Sequence, residues 1–358
     1  MPSSSTKPKQ PSRWRRRLGL AVAGLLVALI VAEVLVRIAA LAPSIDPHMG
    51  WLTADVHLPY KPKPGSHIRG KVPSGEYQYD HHHNSLGFRD SEHDTKKPPG
   101  TFRILGVGDS FTAGWGAPFE QTYLRRLELA LAARDGDHPR IEVIKAGISG
   151  YFPQTEKLVV EHYGLQFQPD VIIVGFLPND VLDTVRGIES VVVDKQGYLT
   201  SAEAADLGAL GLWLYRTSHV ARIALRAWVK FRQRDLPPNW WMPIYEPNEE
   251  FEAAWRELEH QYEGLRTVAQ TAGAKLVVLH IPESVPDQPF HAYPAKRLAA
   301  WCAAHNVTFI DAAPQVLAAA QASPDLLYYP EDRHCTPTGY QAVADALLAG
   351  LIAANLVP

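Results

Sequence analysis

Cysteine is scarce in this chain of 358 residues, which has only Cys302 and Cys335. Two thiols exclude a disulfide framework, and no Cys/His spacing of the metal-ligand kind occurs. A single bridge between them stays open if the domain faces an oxidising compartment. An excess of one charge is also lacking. Lys and Arg number 35 against 38 Asp and Glu, a net charge of -3, so nothing points to nucleic acid as a partner. No internal repeat is found. Hydrophobic residues at 46% and charged residues at 20% suit one large globular domain or two smaller ones.

One long hydrophobic run is present. Residues 1–17 form a basic tail carrying Lys7, Lys9, Arg13, Arg15, Arg16 and Arg17 and no acid. Residues 18–36 then give an apolar stretch of about 20 residues, enough for a bilayer core of about 30 Å. Glu33 breaks it near its far end, and Arg37 lies four positions on, on the same helical face. We expect a transmembrane signal anchor over residues 18–42. The positive-inside rule keeps the basic tail in the cytoplasm and puts the chain after Pro43 in the periplasm or outside the cell. The rival reading is a signal peptide cleaved at Ala40-Leu41-Ala42. Against it, the apolar core exceeds the usual 7–15 or so residues, and Pro43 would follow the cut.

Residues 43–100 are rich in Pro, Gly, His and Tyr and keep no helical period, which predicts an irregular or β-rich linker region. His81-His82-His83 lies within it. Neighbouring strand residues face opposite ways, so the run does not easily put all its imidazoles on one ion, and a solvated loop is expected.

From Thr101 the pattern alternates. Apolar runs at 102–107, 141–144, 171–174, 275–280 and 307–310 predict strands. Helical periods fall at 120–134, 154–164, 249–272, 292–304, 312–322 and 338–355. Such alternation predicts an α/β domain over 101–358, with a parallel sheet covered on both faces. Residues 181–242 are a less regular insertion. Its clearest element is a helix over 218–234, with Val220, Ile223, Ala224, Ala227, Trp228 and Phe231 at helical spacing. Arg222, Arg226, Lys230 and Arg234 form a basic row on another face. The expectation is that the apolar face packs on the protein and the basic row is solvated. The rival is a helix lying on an anionic membrane.

The chemistry gathers at strand ends. The first strand runs into Gly108-Asp109-Ser110, which puts a serine where open α/β sheets present ligands. Serine needs a base, an orienter for that base and donors for an oxyanion. The second strand is followed by Gly147-Ile148-Ser149-Gly150-Tyr151, and the third by Gly175-Phe176-Leu177-Pro178-Asn179-Asp180. Before the last helix comes Pro330-Glu331-Asp332-Arg333-His334-Cys335-Thr336-Pro337. The backbone amides of Ser110 and Gly150 and the Asn179 side chain offer three oxyanion donors. His334 offers a base, and Asp332 an orienter. Tyr151, Phe152 and Phe176 are expected to be plain packing.

This ordered set resembles the SGNH hydrolases, the GDSL-like lipase and esterase superfamily. Gly108-Asp109-Ser110 matches the nucleophile block, Gly150 the second-block glycine, Asn179 the third-block asparagine, and Asp332 with His334 the final acid and base. The resemblance covers about residues 101–358, with the insertion fitting poorly. Upstream, Asn84-Ser85-Leu86-Gly87-Phe88-Arg89-Asp90 precedes the nucleophile block as in bacterial members with an N-terminal signal anchor. There are three departures. Three residues, not one, separate Gly175 from Asn179. The acid stands two before His334, with Glu331 at the usual third position as the alternate. Lys145 stands where many relatives have Asn.

The resemblance implies a three-layer α/β/α, flavodoxin-like fold with no separate cofactor and no metal. It implies a serine esterase acting on a small acyl ester or acylated glycan outside the cytoplasm. An O-acyltransferase working on a cell-envelope or exported polysaccharide would use the same residues. A third class is an inactive glycan-binding or assembly protein that kept the fold.

Overall fold

The structure is a computed structural model and describes residues 13–39, 51–72, 74–134, 138–188, 191–193, 199–201, 208–232, 242–283, 292–323 and 325–358. In chain order, helix α1 (Arg13–Ile38) precedes four short strands, β1 (Leu52–Thr53), β2 (Lys61–Pro62), β3 (His67–Lys71) and β4 (Gln78–His82). Then come β5 (Thr101–Gly108), α2 (Ser110–Ala113), α3 (Tyr123–Ala132), β6 (Arg140–Gly147), α4 (Pro153–Val159), β7 (Val171–Phe176) and α5 (Asp180–Arg186). The next stretch holds β8 (Val191–Val193), β9 (Leu199–Ser201), α6 (Gly208–Thr217) and α7 (His219–Arg232). The chain ends with α8 (Glu249–Thr271), β10 (Lys275–His280), α9 (Ala292–Ala304), β11 (Thr308–Asp311), α10 (Ala313–Ala322) and α11 (Pro337–Ala353).

Five strands pair in parallel in the order β11-β10-β7-β5-β6. Numbered among themselves along the chain, they run 2-1-3-4-5, the flavodoxin-like order. Both faces of this sheet are buried, so its strands read as continuous apolar runs rather than alternating ones. Their side chains still divide by face. Leu105, Val107, Ile172, Val174 and Val278 pack with Trp255, Leu258 and Tyr262 of α8 and Leu298 of α9. Ile104, Val143, Ile173, Val277 and Leu279 pack with Leu124 and Leu127 of α3 and Tyr340, Val343 and Leu347 of α11. The three-layer α/β/α expectation holds. Each fully buried aliphatic or aromatic side chain contributes about 1.5–3 kcal/mol.

The cysteines fall on opposite sides of this sheet. Cys302 belongs to one core and Cys335 to the other, and both are buried and unpaired. The single bridge left open by the sequence does not form.

The chain forms two compact units, Met1–Ile45 with Ala204–Pro237, and Asp46–Glu203 with Pro238–Pro358. Most of the region expected as a linker therefore belongs with the α/β domain. Leu52, Leu58, Tyr60 and Phe88 enter the same core as Leu105 and Val107. The insertion divides, since 204–237 groups with α1. His81-His82-His83 is not a loop. His82 ends strand β4, His81 and His83 are buried, and His82 is exposed.

At the carboxyl end of the edge strand β6, Gly147 lies directly beneath α2. A Cβ there would stand 2.4 Å from Ala113 N and 2.5 Å from the Thr112 carbonyl carbon, both backbone. Gly147→Ala is expected to push α2 off the strand and cost about 1–3 kcal/mol. Urea unfolding of the variant checks this, and an unchanged midpoint would show that α2 does not rest on β6.

Candidate active site

The strand order decides where the site lies. β6 and β7 leave β5 on opposite sides, so the chain reverses its direction of travel at the carboxyl end of β5, a switch point at which a crevice opens. Ser110 starts α2 at that point. Asp109 caps the helix, its buried carboxylate accepting from Phe111 N at 2.8 Å. Gly114 ends it after one turn in the left-handed conformation. Ser110 is thereby held at the switch point, half-buried.

The loop before α11 comes back to it. His334 Nε2 lies 2.8 Å from Ser110 Oγ, and His334 Nδ1 lies 2.5 Å from Asp332 Oδ1. Between them Arg333 adopts φ 70°, a left-handed conformation that costs a residue with a Cβ about 1–2 kcal/mol. Backbone bonds hold the loop, with Tyr329 N donating to His334 O at 3.0 Å and Arg333 N to Tyr329 O at 2.9 Å. Thr336 then caps α11 and Pro337 opens it. The approach of this loop to α2 requires Gly116. It has φ 90°, and a Cβ there would meet Cys335 O at 2.3 Å and His334 Cβ at 3.2 Å.

Asp332 and Glu331 were the two candidates for the acid. Only Asp332 meets the ring, whereas Glu331 is exposed. Burial would raise the Asp332 pKa, but the His334 ring and the Tyr77 hydroxyl hold it below the ordinary carboxylate value.

The other expected residues come from the next two strand ends. Gly150 sits at φ 76° in a turn closed by Tyr151 N donating to Ile148 O at 3.1 Å, the position of a type II turn that favours glycine. A Cβ there would also meet the Tyr60 hydroxyl at 2.7 Å. Asn179 precedes α5 with its side chain half-buried, and its Nδ2 donates to Asp183 Oδ2 over a long 3.4 Å. Gly175 lies inside β7, where a Cβ would meet Thr112 Oγ1 at 2.7 Å, so it serves packing. Tyr151, Phe152 and Phe176 are buried, as expected for packing.

Sequence reasoning missed the contribution of residues 76–90. Tyr77 donates its hydroxyl to Asp332 Oδ1 at 2.9 Å, and its ring lies 4.5 Å from that of Tyr329. The Glu76 carboxylate accepts from the backbone amides of Asp332 at 2.8 Å and Glu331 at 3.0 Å. The buried Arg89 donates to the carbonyls of Ala113, Gly114 and Ala117, so it satisfies the exit of α2. Asp90 accepts from Lys145 N at 2.9 Å and pairs with Lys145 Nζ at 3.1 Å, and Glu128 pairs with the same amine at 3.0 Å. Lys145 is thus a strut between β6, α3 and this segment, not a ligand-facing group. The one legible signal was the Asn84–Asp90 block itself. Nothing in the sequence tied Tyr77 to a residue more than 250 positions away.

Behind Asp109 lie two fully buried acids, Glu156 of α4 and Asp180 of α5. Neither Glu156 oxygen has a hydrogen-bond partner among the described residues. Burial and then the nearby Asp109 push the Glu156 carboxyl well above its ordinary value of 4.5, and burial likewise raises Asp180. Among the described residues, one trio has the spacing of metal ligands, namely His67, Asp80 and His82, all exposed. Arg69 Nε lies 3.0 Å from both His67 Nε2 and Asp80 Oδ2, so a cation already stands there.

Because folded Glu156 keeps its proton to higher pH than unfolded Glu156, its effect on stability has a definite sign. Stability is fullest below the ordinary glutamate range and falls as pH rises from there toward the elevated folded value. Glu156→Gln removes that loss. Its gain in thermal midpoint over the parent is expected to be larger at pH 8 than at pH 4.5, and an equal or smaller gain at pH 8 would show that Glu156 is ionised in the fold.

A profile of the GDSL-like Lipase/Acylhydrolase family matches residues 107–342. No curated protein matches the chain. Solved structures similar to it include TesA, at 14% identity and TM-score 0.42, over 70% of this chain and 97% of that one. An acetylxylan esterase, Axe2 of Geobacillus stearothermophilus, is similar at 15% identity and TM-score 0.43, over 72% and 96%. A lipase, Lip_vut3 from a goat rumen metagenome, is similar at 15% identity and TM-score 0.40, over 70% and 97%.

Proposed function

The chain is an ester hydrolase that belongs to the GDSL-like lipase/acylhydrolase family, and we propose that Ser110 is its nucleophile, His334 its general base and Asp332 the orienter of that base. One observation carries the reading. Ser110 Oγ, His334 and Asp332 form a continuous chain of hydrogen bonds, 2.8 Å and 2.5 Å long. Asp332 accepts from Nδ1 of His334, which leaves Nε2 to take the Ser110 proton as Oγ adds to an acyl carbonyl. The resulting oxyanion is met by the amides of Ser110 and Gly150 and by Asn179 Nδ2. His334 returns the proton to the leaving alcohol. Water then adds to the acyl-enzyme by the same route and frees the acid. The Asp332–His334 pair stabilises the imidazolium without Asp332 itself taking the proton. The substrate is a small acyl ester or an acylated glycan.

Helix α1 is long and apolar enough to cross a membrane. We read it as an uncleaved anchor with a cytoplasmic basic tail, and the hydrolase as acting outside the cytoplasm.

Fluorophosphonate labelling and p-nitrophenyl acetate turnover test the site. Ser110→Ala is expected to abolish both, and Asp332→Asn to lower kcat by about 10⁴ while Glu331→Gln stays near normal. Asn179→Ala should lower kcat by about a hundredfold or more in a folded protein. Labelling that survives Ser110→Ala, or a crippled Glu331→Gln beside a normal Asp332→Asn, would overturn the assignment. Adding an oligosaccharide separates water from a sugar hydroxyl as acceptor, since transfer would acylate the sugar.

Topology is tested separately. Protease added to intact spheroplasts is expected to digest the 101–358 domain. Protection of that domain, or a mature N-terminus at Pro43, would reject the anchor.

A further inference from the structure

Helix α1 and the α6–α7 hairpin belong to one compact unit, and they are joined at one level. Glu33 is the lone acid of α1. Its carboxylate accepts from Ser218 Oγ at 2.8 Å, from His219 N at 2.8 Å and from Val220 N at 3.0 Å. It therefore caps the first turn of α7 from another helix, where orphan amides favour an anion. Arg37 pairs with Glu33 at 2.7 Å and donates to Thr217 O, the carbonyl ending α6, at 2.6 Å. The acid that breaks the apolar run of α1 and the arginine that follows it are thus spent on the turn between α6 and α7.

That turn has a definite depth. Fifteen residues separate Leu18 from Glu33, about 22 Å along a helix. In a bilayer core of about 30 Å this brings the turn to within about 8 Å of the boundary opposite the basic tail. The hairpin fixed there leaves large apolar side chains open. Leu210 is 70% exposed and Trp213 57% on α6, and Trp228 is 56% and Phe231 55% exposed on α7. Trp228 and Phe231 lie one helical turn apart, with their rings stacked at 6.4 Å. The expectation that the apolar face of this helix packs on the protein fails at its distal end. Of its basic row, Arg222 is buried rather than solvated, and the side chains of Arg226, Lys230 and Arg234 lie outside the described part of the structure.

We propose that the α6–α7 hairpin lies in the outer interface of the membrane that α1 crosses, with Trp213, Trp228 and Phe231 seated at the level of the headgroups. The inference rests on the reading of α1 as a membrane-crossing anchor. The occupant is the lipid surface because the hairpin is bonded at its turn to a helix that is itself apolar and uncovered, with no buried residue along its length. Tryptophan suits that level, with an apolar ring and one N–H to keep wet. The hairpin gives the protein a second membrane contact, flat on the surface, where α1 alone would leave it free to swivel.

The test uses the full chain in vesicles of phosphatidylcholine and phosphatidylglycerol, with a nitroxide attached at Trp228→Cys and, separately, at Leu210→Cys. Cys302 and Cys335 are buried and leave the added thiol as the one to label. Ile30→Cys serves as the bilayer reference and a free nitroxide as the water reference. Collisions with a water-soluble nickel chelate are expected to fall at least severalfold below the free label at both hairpin positions, with oxygen collisions approaching those at Ile30→Cys. Full nickel access at the hairpin with a bilayer-embedded Ile30→Cys label would overturn the inference and leave the anchor standing. Full nickel access at Ile30→Cys would overturn both. Exclusion of nickel accompanied by spin–spin broadening would show a second copy on the face, and would overturn the lipid assignment.

Discussion

The site depends on the register of three parallel strands. Gly108 of β5 pairs with Gly147 of β6, and Val107 of β5 with Val174 of β7. All three strands therefore end at one level, and the loops bearing Ser110, Gly150 and Asn179 rise from neighbouring points. A slip of one residue would turn every apolar side chain of a strand to the other face, so the two cores defend that register. The side chains missing at Gly147 and Gly116 are the complement of this constraint. They let α2 rest on β6 and let the His334 loop close on α2.

Chemistry at the carboxyl edge is then held from outside the sheet. The segment carrying Glu76, Tyr77, Arg89 and Asp90 touches the Asp332 loop, the end of α2 and strand β6. Glu76 and Tyr77 hold the Asp332 loop, Arg89 holds the exit of the Ser110 turn, and Asp90 with Lys145 holds β6. These are buried or half-buried polar contacts, and removing one partner of a buried ion pair costs about 3–5 kcal/mol because the other charge is stranded. The region before the α/β domain is better described as a brace for the site than as a tether.

Polar contacts across units of sequence recur at α1. Glu33 and Arg37 break an apolar run, which taken alone is a defect in a spanning helix. Their bonds to the α6–α7 turn turn that defect into a joint. Both here and at Asp332, a carboxylate accepts from donors brought from a distant part of the chain, the amides of α7 in one case and the Tyr77 hydroxyl in the other.

The sequence alone determined the fold class and the candidate nucleophile, base and oxyanion donors. Parallel strands buried on both faces leave uninterrupted apolar runs, and glycine-rich turns after them are visible one residue at a time. It also set the expectation that Ser110, as a candidate nucleophile, is met by a base from elsewhere in the chain, because a serine cannot act unaided. Tertiary structure decided what depends on distance. It put Asp332 rather than Glu331 against the His334 ring, through a left-handed Arg333 that no local preference announces. It divided Cys302 from Cys335 by putting a sheet between them. It joined Tyr77 to Asp332, and Glu33 to the amides of α7. Periodicity reports which way a side chain faces along its own element. Which partner it meets is set by how the elements pack, and that is written in no single stretch of the chain.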